Sequence, residues 1–576
     1  MKARASLIVL LYMTFGELQC PVTIYAASLP PNAGSLLSEQ QLRRQLPDND
    51  LKKPEGEVPV VSSDETGELV LVKGFRFTGY EGLVREPDLQ KLLSGYSGKS
   101  LSIGELKGLV QKVNTYLRNK GWILSKAYLL DQDVSSGMIE LRIIQGKITD
   151  NILFKREKEV RICETRLKGI GSNALKHDQP PGEPQLERAL LLMNDLPGVK
   201  AGARLSSGSL PGTSDVEIGI SEGPLFSGSI WGDNHGNLSI GTLRANAMIS
   251  LNDPSRCGDQ LILVLHDAAG LKLARAAYSC LLTSSGLKGT ISYTGMRYKL
   301  VEGYFASGGF NGYCDGLDAG FSYPLLRSRS SNVTVIAIYG YKSMIDCKSV
   351  TELSNRHSNV GTVGVSSNRI DNLNQVFTDW NANLTVGNLH ESQPTAAAHI
   401  LTNGTSGMFT HINLGLSRQQ RFTSASTINF AWTCQKSFEN LDSSEHFSLG
   451  GPYGVHAYPI AEGSGDSGHL FNTEFRCSLP GMSALGNLDL MVFYDAGRIT
   501  VEEHRTSEPL GTATERNTYW LQGAGLGLDY MMKNTLSIRA SWAHAIGDNP
   551  GRSVAGNNAN GKPDKSRFWI QCGVNF

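Results

Sequence analysis

The chain has 576 residues, too many for one ordinary domain, and its 54 Lys and Arg are balanced by 54 Asp and Glu. Zero net charge leaves no basic excess of the kind that marks a nucleic-acid partner. The 63 glycines suit a turn-rich β protein better than a bundle of membrane helices.

Residues 1–27 read as a secretory signal. Lys2 and Arg4 form the charged start, Leu7 to Met13 the apolar run, and Tyr25-Ala26-Ala27 the small-residue cleavage site. That run is far short of the ~20 residues a spanning helix needs. Cys20 follows Glu17-Leu18-Gln19, which lacks the small residues of a lipoprotein site. No later segment reads as a spanning helix, so an exported chain is either soluble or crosses a membrane as a closed barrel. Residues 28–68 are rich in Pro, Ser, Asp and Glu and read as a tether. Within them a short helix is predicted from Ser35 to Leu46, stopped by Pro47.

Residues 69–148 carry a β-α-α-β-β rhythm. A first strand runs through Phe75 and Phe77, and a short helix from Asp88 to Tyr96. Ser102 and Glu105 form a capping box, and Leu106, Leu109, Val110, Val113 and Leu117 follow at helical spacing until Gly121. Strands are predicted at Ala127–Leu130 and Met138–Ile144. Residues 149–223 repeat the plan more loosely, with a strand at Ile152–Phe154, one helix from about Gln185 to Asp195, and strands at Ala203–Ser206 and Val216–Ile220.

From Pro224 to Phe576 the pattern changes to segments of about ten residues that alternate apolar and polar, the membrane-barrel signature. Asp489, Met491, Phe493 and Asp495 share one face of such a segment, and Leu488, Leu490 and Val492 the other. We count about sixteen of these segments. Glu474, Arg476 and Arg539 sit at positions that would be costly in a dry sandwich core and are cheap in a wet lumen.

With the signal removed, eight scattered cysteines remain, with no CxxC pair. Neither a metal site nor a disulfide-dense framework is expected. Cys314 and Cys347 are placed at the outer rim of neighbouring strands, either as a disulfide in an oxidising compartment or as two unpaired thiols. Gly219-Ile220-Ser221-Glu222-Gly223 fits a nucleophile-elbow spacing, but Pro224 and a β segment follow where a helix is required. Gly465-Asp466-Ser467-Gly468 has a serine-protease-like look without an oxyanion architecture around it. No Gly-x4-Gly-Lys-[Ser/Thr] string offers an ATP site. No enzyme activity and no cofactor are expected.

Several strings resemble one family. They are Gly74-Phe75-Arg76-Phe77-Thr78-Gly79, Tyr116 to Trp122, Gly232-Asp233-Asn234-His235-Gly236, Tyr323-Pro324-Leu325-Leu326-Arg327, and above all Phe447-Ser448-Leu449-Gly450-Gly451-Pro452-Tyr453-Gly454-Val455-His456-Ala457-Tyr458-Pro459 followed by Phe493-Tyr494-Asp495-Ala496-Gly497. The mature chain resembles the outer-membrane transporters of two-partner secretion, the haemolysin-activation and filamentous-haemagglutinin exporter group. The resemblance implies an N-terminal plug helix, two periplasmic α+β POTRA modules (69–148 and 149–223) and a 16-stranded antiparallel transmembrane β-barrel (224–576). It implies a secreted exoprotein as cargo, outer-membrane lipid around the barrel, and Phe576 as the C-terminal signal for the barrel assembly machinery. An outer-membrane protein assembly insertase is the alternative, but two modules favour secretion.

The resemblance also implies that Gly450, Gly451, Gly454, Val455, His456 and Tyr458 form the tip of a loop folded into the lumen. Phe493, Asp495 and Gly497 are its partners on the barrel wall. The family tip is usually Val-Arg-Gly-Tyr or Val-Arg-Ala-Tyr, and here His456 stands in place of the Arg. A single His–Asp contact is expected instead of a bidentate fork, and an ion pair that needs a protonated imidazole would weaken as pH rises.

Overall fold

The computed structural model describes residues 30–41 and 69–576 except 123, 146, 157–159, 176–182, 208–212, 393–404, 480–485, 507–508 and 534. The expected signal and most of the tether lie outside the described residues. Helix α1 (Ala33–Gln41) starts the described chain, two residues earlier than its pattern predicts, with Asn32 as its cap.

The first module holds α2 (Glu86–Leu93) and α3 (Ile103–Asn119) against a three-stranded sheet. The capping box forms as expected: Glu105 N donates to Ser102 Oγ at 3.2 Å, and Ser102 N donates to the Glu105 carboxylate at 2.8 Å. The sheet order is Gly74–Thr78, Met138–Ile144, Lys126–Leu129, with the first pair parallel. Phe75, Phe77, Ile139, Leu141 and Ile143 alternate into one core with Leu106, Leu109, Val113 and Leu117.

The second module repeats this order with Lys147–Arg156, Thr213–Glu222 and Val199–Ser207. It contains α5 (Glu183–Asn194), as expected, and α4 (Glu164–Ala174), which the pattern did not reveal. Gly169 and Gly171 lower the intrinsic helicity of α4. Complete burial of Leu167 and Ile170 against Val216 and Ile218 overrides that cost.

This module is docked on one rim of the barrel. Arg327 forms a two-toothed pair with Asp195, at 2.7 and 2.9 Å. Arg188 donates to the carbonyls of Pro324 and Ser285, and Lys288 donates to the carbonyl of Asp195. The rim so engaged is the periplasmic one, because the modules lie in the periplasm.

Sixteen antiparallel strands, from Phe226–Asp233 to Ser566–Asn575, close into a barrel. The closing seam is short, with five residue pairs from Gln571↔Asp233 to Asn575↔Ser229. Phe576 extends it: its N–H donates to the Gly228 carbonyl and its carbonyl accepts from Gly228 N, both at 2.9 Å. On Asn487–Thr500, Leu490, Val492 and Tyr494 are 44–55% exposed on the lipid face, whereas Met491, Phe493 and Asp495 are buried in the lumen. That is the alternation expected from the sequence.

The register bears on the two readings of Cys314 and Cys347 and favours unpaired thiols. Cys314 faces Met344, and Cys347 faces Asn311, three residues away along the same partner strand. An odd offset puts the two thiols on opposite faces of the wall, and both cysteines are free.

Candidate functional site

The segment 438–466 leaves the outer rim and folds back into the lumen. Its tip is a compact knot of backbone hydrogen bonds: Val455 N to Leu449 O (2.7 Å), Tyr458 N to Val455 O (3.1 Å) and Gly451 N to Tyr458 O (3.1 Å). Side chains do not fit inside this knot. A Cβ on Gly454 would lie 1.9 Å from the Leu449 carbonyl oxygen, and Gly451 holds φ at +114°. The knot is packed against the wall by Leu449, Val455, Ala457, Tyr458 and Phe493, all buried. Gly497 gives it room, since a Cβ there would meet Leu449 Cδ2 at 2.5 Å.

Asp495 is fully buried at the contact. One of its oxygens, Oδ2, accepts from both His456 N (3.1 Å) and His456 Nδ1 (2.8 Å). The other, Oδ1, accepts from Asn472 Nδ2 (2.7 Å), which also donates to Gly454 O (2.9 Å). Trp569 Nε1 donates to His456 O at 2.8 Å, and the imidazole lies against the Phe493 ring at 4.5 Å between centroids. The imidazole makes one contact to Asp495 where a guanidinium would fork. The backbone N–H supplies a second donor that does not depend on pH. Arg476 does not compete for Asp495, because it pairs with Glu474, Asp489 and Asp529.

Helix α1 sits in the outer half of the same lumen. Leu36 and Leu37 are buried against Ile240, Leu271, Met296, Tyr298 and Met344. Ala33 N, a free amide of the first turn, donates to Asp346 Oδ1 at 2.8 Å, so a carboxylate meets the positive end of the helix. At the other end Asn237 Nδ2 donates to Glu39 (3.0 Å), and Arg244 donates to Gln40 (2.9 Å). Glu39 lies beside the outer loop that carries Asn237, and burial pushes its carboxyl up to about 7.

One arginine ties the helix to the folded-back loop. Arg356, 1% exposed, donates to Asp346 at 2.7 Å and to Asp442 at the root of the loop. Tyr298 donates to the same Asp346 oxygen that receives Ala33 N. Ser443 Oγ donates to Asn32 Oδ1 at 2.8 Å and completes the contact. Sequence reasoning missed Arg356, Asp346, Asp442, Asn472 and Trp569. The available signal was parity: each of the wall residues among them falls on the lumen face of its strand.

The two serines weighed as nucleophiles both lie on strands. Ser221 is a strand residue opposite Lys200. Ser467 donates to Glu503 at 2.6 Å and accepts from Ser437 N. Among the described residues no cluster of His, Cys, Asp and Glu is placed to hold a metal ion.

A family model described as "Haemolysin secretion/activation protein ShlB/FhaC/HecB" matches residues 212–530, and one described as "POTRA domain, ShlB-type" matches residues 70–146. The heme/hemopexin transporter protein HuxB of Haemophilus influenzae strain 86-028NP is 27% identical over 553 residues, covering 94% of each chain. The structure of CdiB from Escherichia coli superposes with a TM-score of 0.70 at 19% identity, over 96% of this chain and 100% of that one. BamA from Haemophilus ducreyi lacking POTRA domains 1–3 has a TM-score of 0.50 at 12% identity, over 88% of this chain and 100% of that one.

Proposed function

This chain belongs to the haemolysin secretion/activation protein family, and from that membership we propose how it carries its partner across the outer membrane. It is an outer-membrane transporter of the two-partner secretion type, secreting an exoprotein through its barrel. The exoprotein enters the periplasmic arm as an extended strand. Gly74–Thr78 and Lys126–Leu129 are the edges of one module sheet, and Lys147–Arg156 and Val199–Ser207 the edges of the other. Backbone pairing along such an edge binds an unfolded chain without demanding one sequence.

The observation that carries the mechanism is the occupied lumen. Helix α1 and the 438–466 loop both sit in it, joined through Arg356, and in this mechanism α1 leaves to open the path. The Asp495 lock keeps the loop on the wall while this happens. No bond is made or broken in these steps, and folding of the cargo outside supplies the pull. Heme/hemopexin transporters among the relatives make an exoprotein acting on a haem carrier the first cargo class to test.

The test compares culture supernatants of a host with and without this chain. One exoprotein should vanish and return with the wild-type chain, but not with a chain lacking 69–148. Unchanged supernatants, with outer-membrane barrels depleted instead, would favour an assembly insertase.

A further inference from the structure

The outer wall of the barrel carries a cationic cavity that the transport mechanism does not use. On three neighbouring strands, Thr351–Asp371, Val376–Glu391 and Gly407–Arg421, one rung reads Arg369↔Thr378↔Arg418 and continues to Phe430. The next rung toward the membrane reads Ser367↔Trp380↔Leu416↔Trp432. Trp380, Leu416 and Phe430 are 36–41% exposed on the lipid face, and parity puts Arg369 and Arg418 on that same face. Both arginines are exposed. Between them opens a cavity of about 430 Å³, lined also by Thr378, Asp371 and Gln420.

This rung is at the periplasmic rim. Arg369 also faces Ser331, beside the turn whose Arg327 grips Asp195 of the second module. Among the described residues neither guanidinium makes a hydrogen bond or a salt bridge, and Arg369 attracts Asp371 only at longer range. The nearby carboxylate, Asp371, is engaged by its own turn. It accepts from Leu373 N and Asn374 N at 3.1 Å and from Asn374 Nδ2 at 2.7 Å. Two exposed guanidiniums two strands apart, above a belt of tryptophan and leucine, match the two halves of a lipid: a phosphate at the rim and acyl chains on the wall.

We propose that Arg369 and Arg418 form a binding site for the phosphate of an anionic glycerophospholipid of the inner leaflet. The lipid lies with its chains along Trp380, Leu416 and Phe430, and its phosphate is held between the two guanidiniums. An acidic protein segment would need the two guanidiniums but not the apolar belt directly beside them.

Native mass spectrometry of the full mature chain in dodecyl maltoside, with dioleoyl phosphatidylglycerol or dioleoyl phosphatidylcholine added, counts retained lipids. One phosphatidylglycerol should be held more tightly than the rest, and phosphatidylcholine should not replace it. The R369Q/R418Q variant should weaken that retention about ten- to thirty-fold. R369K/R418K, which keeps both charges, should weaken it less, and R297Q, an exposed arginine elsewhere on the barrel, should leave it unchanged. Millimolar inorganic phosphate should not displace the lipid. Equal retention by R369Q/R418Q, an equal loss in R297Q, equal retention of phosphatidylcholine, or displacement by phosphate each overturns the proposal. So does a loss of secretion in R369Q/R418Q with lipid retention intact, which would make the arginines a cargo contact.

Discussion

Replacing Asp495 by Ala removes the acceptor for three donors at once: His456 N, His456 Nδ1 and Asn472 Nδ2. Each net hydrogen bond to a charged group contributes about 1.5–3 kcal/mol, and bonds sharing one carboxylate are not additive. About 3–5 kcal/mol of loop docking is therefore expected to go, a shift of a hundred- to several-thousand-fold in the docked fraction. His456→Ala removes the imidazole contact and the face on Phe493 but keeps the backbone N–H, so about 1–2 kcal/mol, roughly tenfold, is expected. Chymotrypsin cleavage after Tyr453 reads this directly, since cleavage of a transiently opened loop tracks the open population. The predicted order of protection is wild type, then His456→Ala, then Asp495→Ala, with secretion impaired most in the last. A loop in Asp495→Ala as protected as in the wild type refutes the lock. Equal exposure in the two variants refutes the role given to the backbone donor.

Arg356→Met leaves Asp346 and Asp442 buried without their cation. It is expected to cost about 3–5 kcal/mol, seen as a lower unfolding midpoint, and to raise single-channel conductance as α1 and the loop root part. Deleting residues 35–47 should raise conductance in the same assay while leaving secretion intact. Glu39 adds a pH dependence. Its docked carboxyl titrates near 7 against an ordinary 4.5, so docking of α1 is strongest below 4.5, weakens as pH rises to about 7, and is flat above. Channel opening in planar bilayers should follow that curve, and Glu39→Gln should flatten it. Gly454→Val, which forces a side chain against the Leu449 carbonyl, should expose the loop tip to chymotrypsin as Asp495→Ala does.

The strand pattern around Asp495 was readable because a period of two fixes which side chains enter the lumen, whatever the neighbours do. The capping box of α3 was equally local, needing only Ser102 and Glu105 three residues apart. What was not readable depends on closure. Arg356, Asp346 and Asp442 lie on different parts of the chain, and only the wrapped wall brings them to the end of α1. The choice between a disulfide and two free thiols at Cys314 and Cys347 was not readable for a related reason. The strand order was right, but a disulfide needs an exact register, which turn signals alone do not set. His456 shows a third limit. A side chain was compared with a side chain, while half of the contact to Asp495 comes from the backbone of the loop.

In the proposed mechanism α1 leaves the lumen for the exoprotein to pass. Asn32 and Ser443 touch through their side chains, with Ser443 Oγ 2.8 Å from Asn32 Oδ1, so cysteines at both positions can tie the helix to the loop root. Secretion by the Asn32→Cys/Ser443→Cys chain should stop under oxidising conditions and recover on reduction, with each single variant unaffected. Secretion at the wild-type rate by the cross-linked chain would contradict the account, because the cargo would then be passing with the helix still in place.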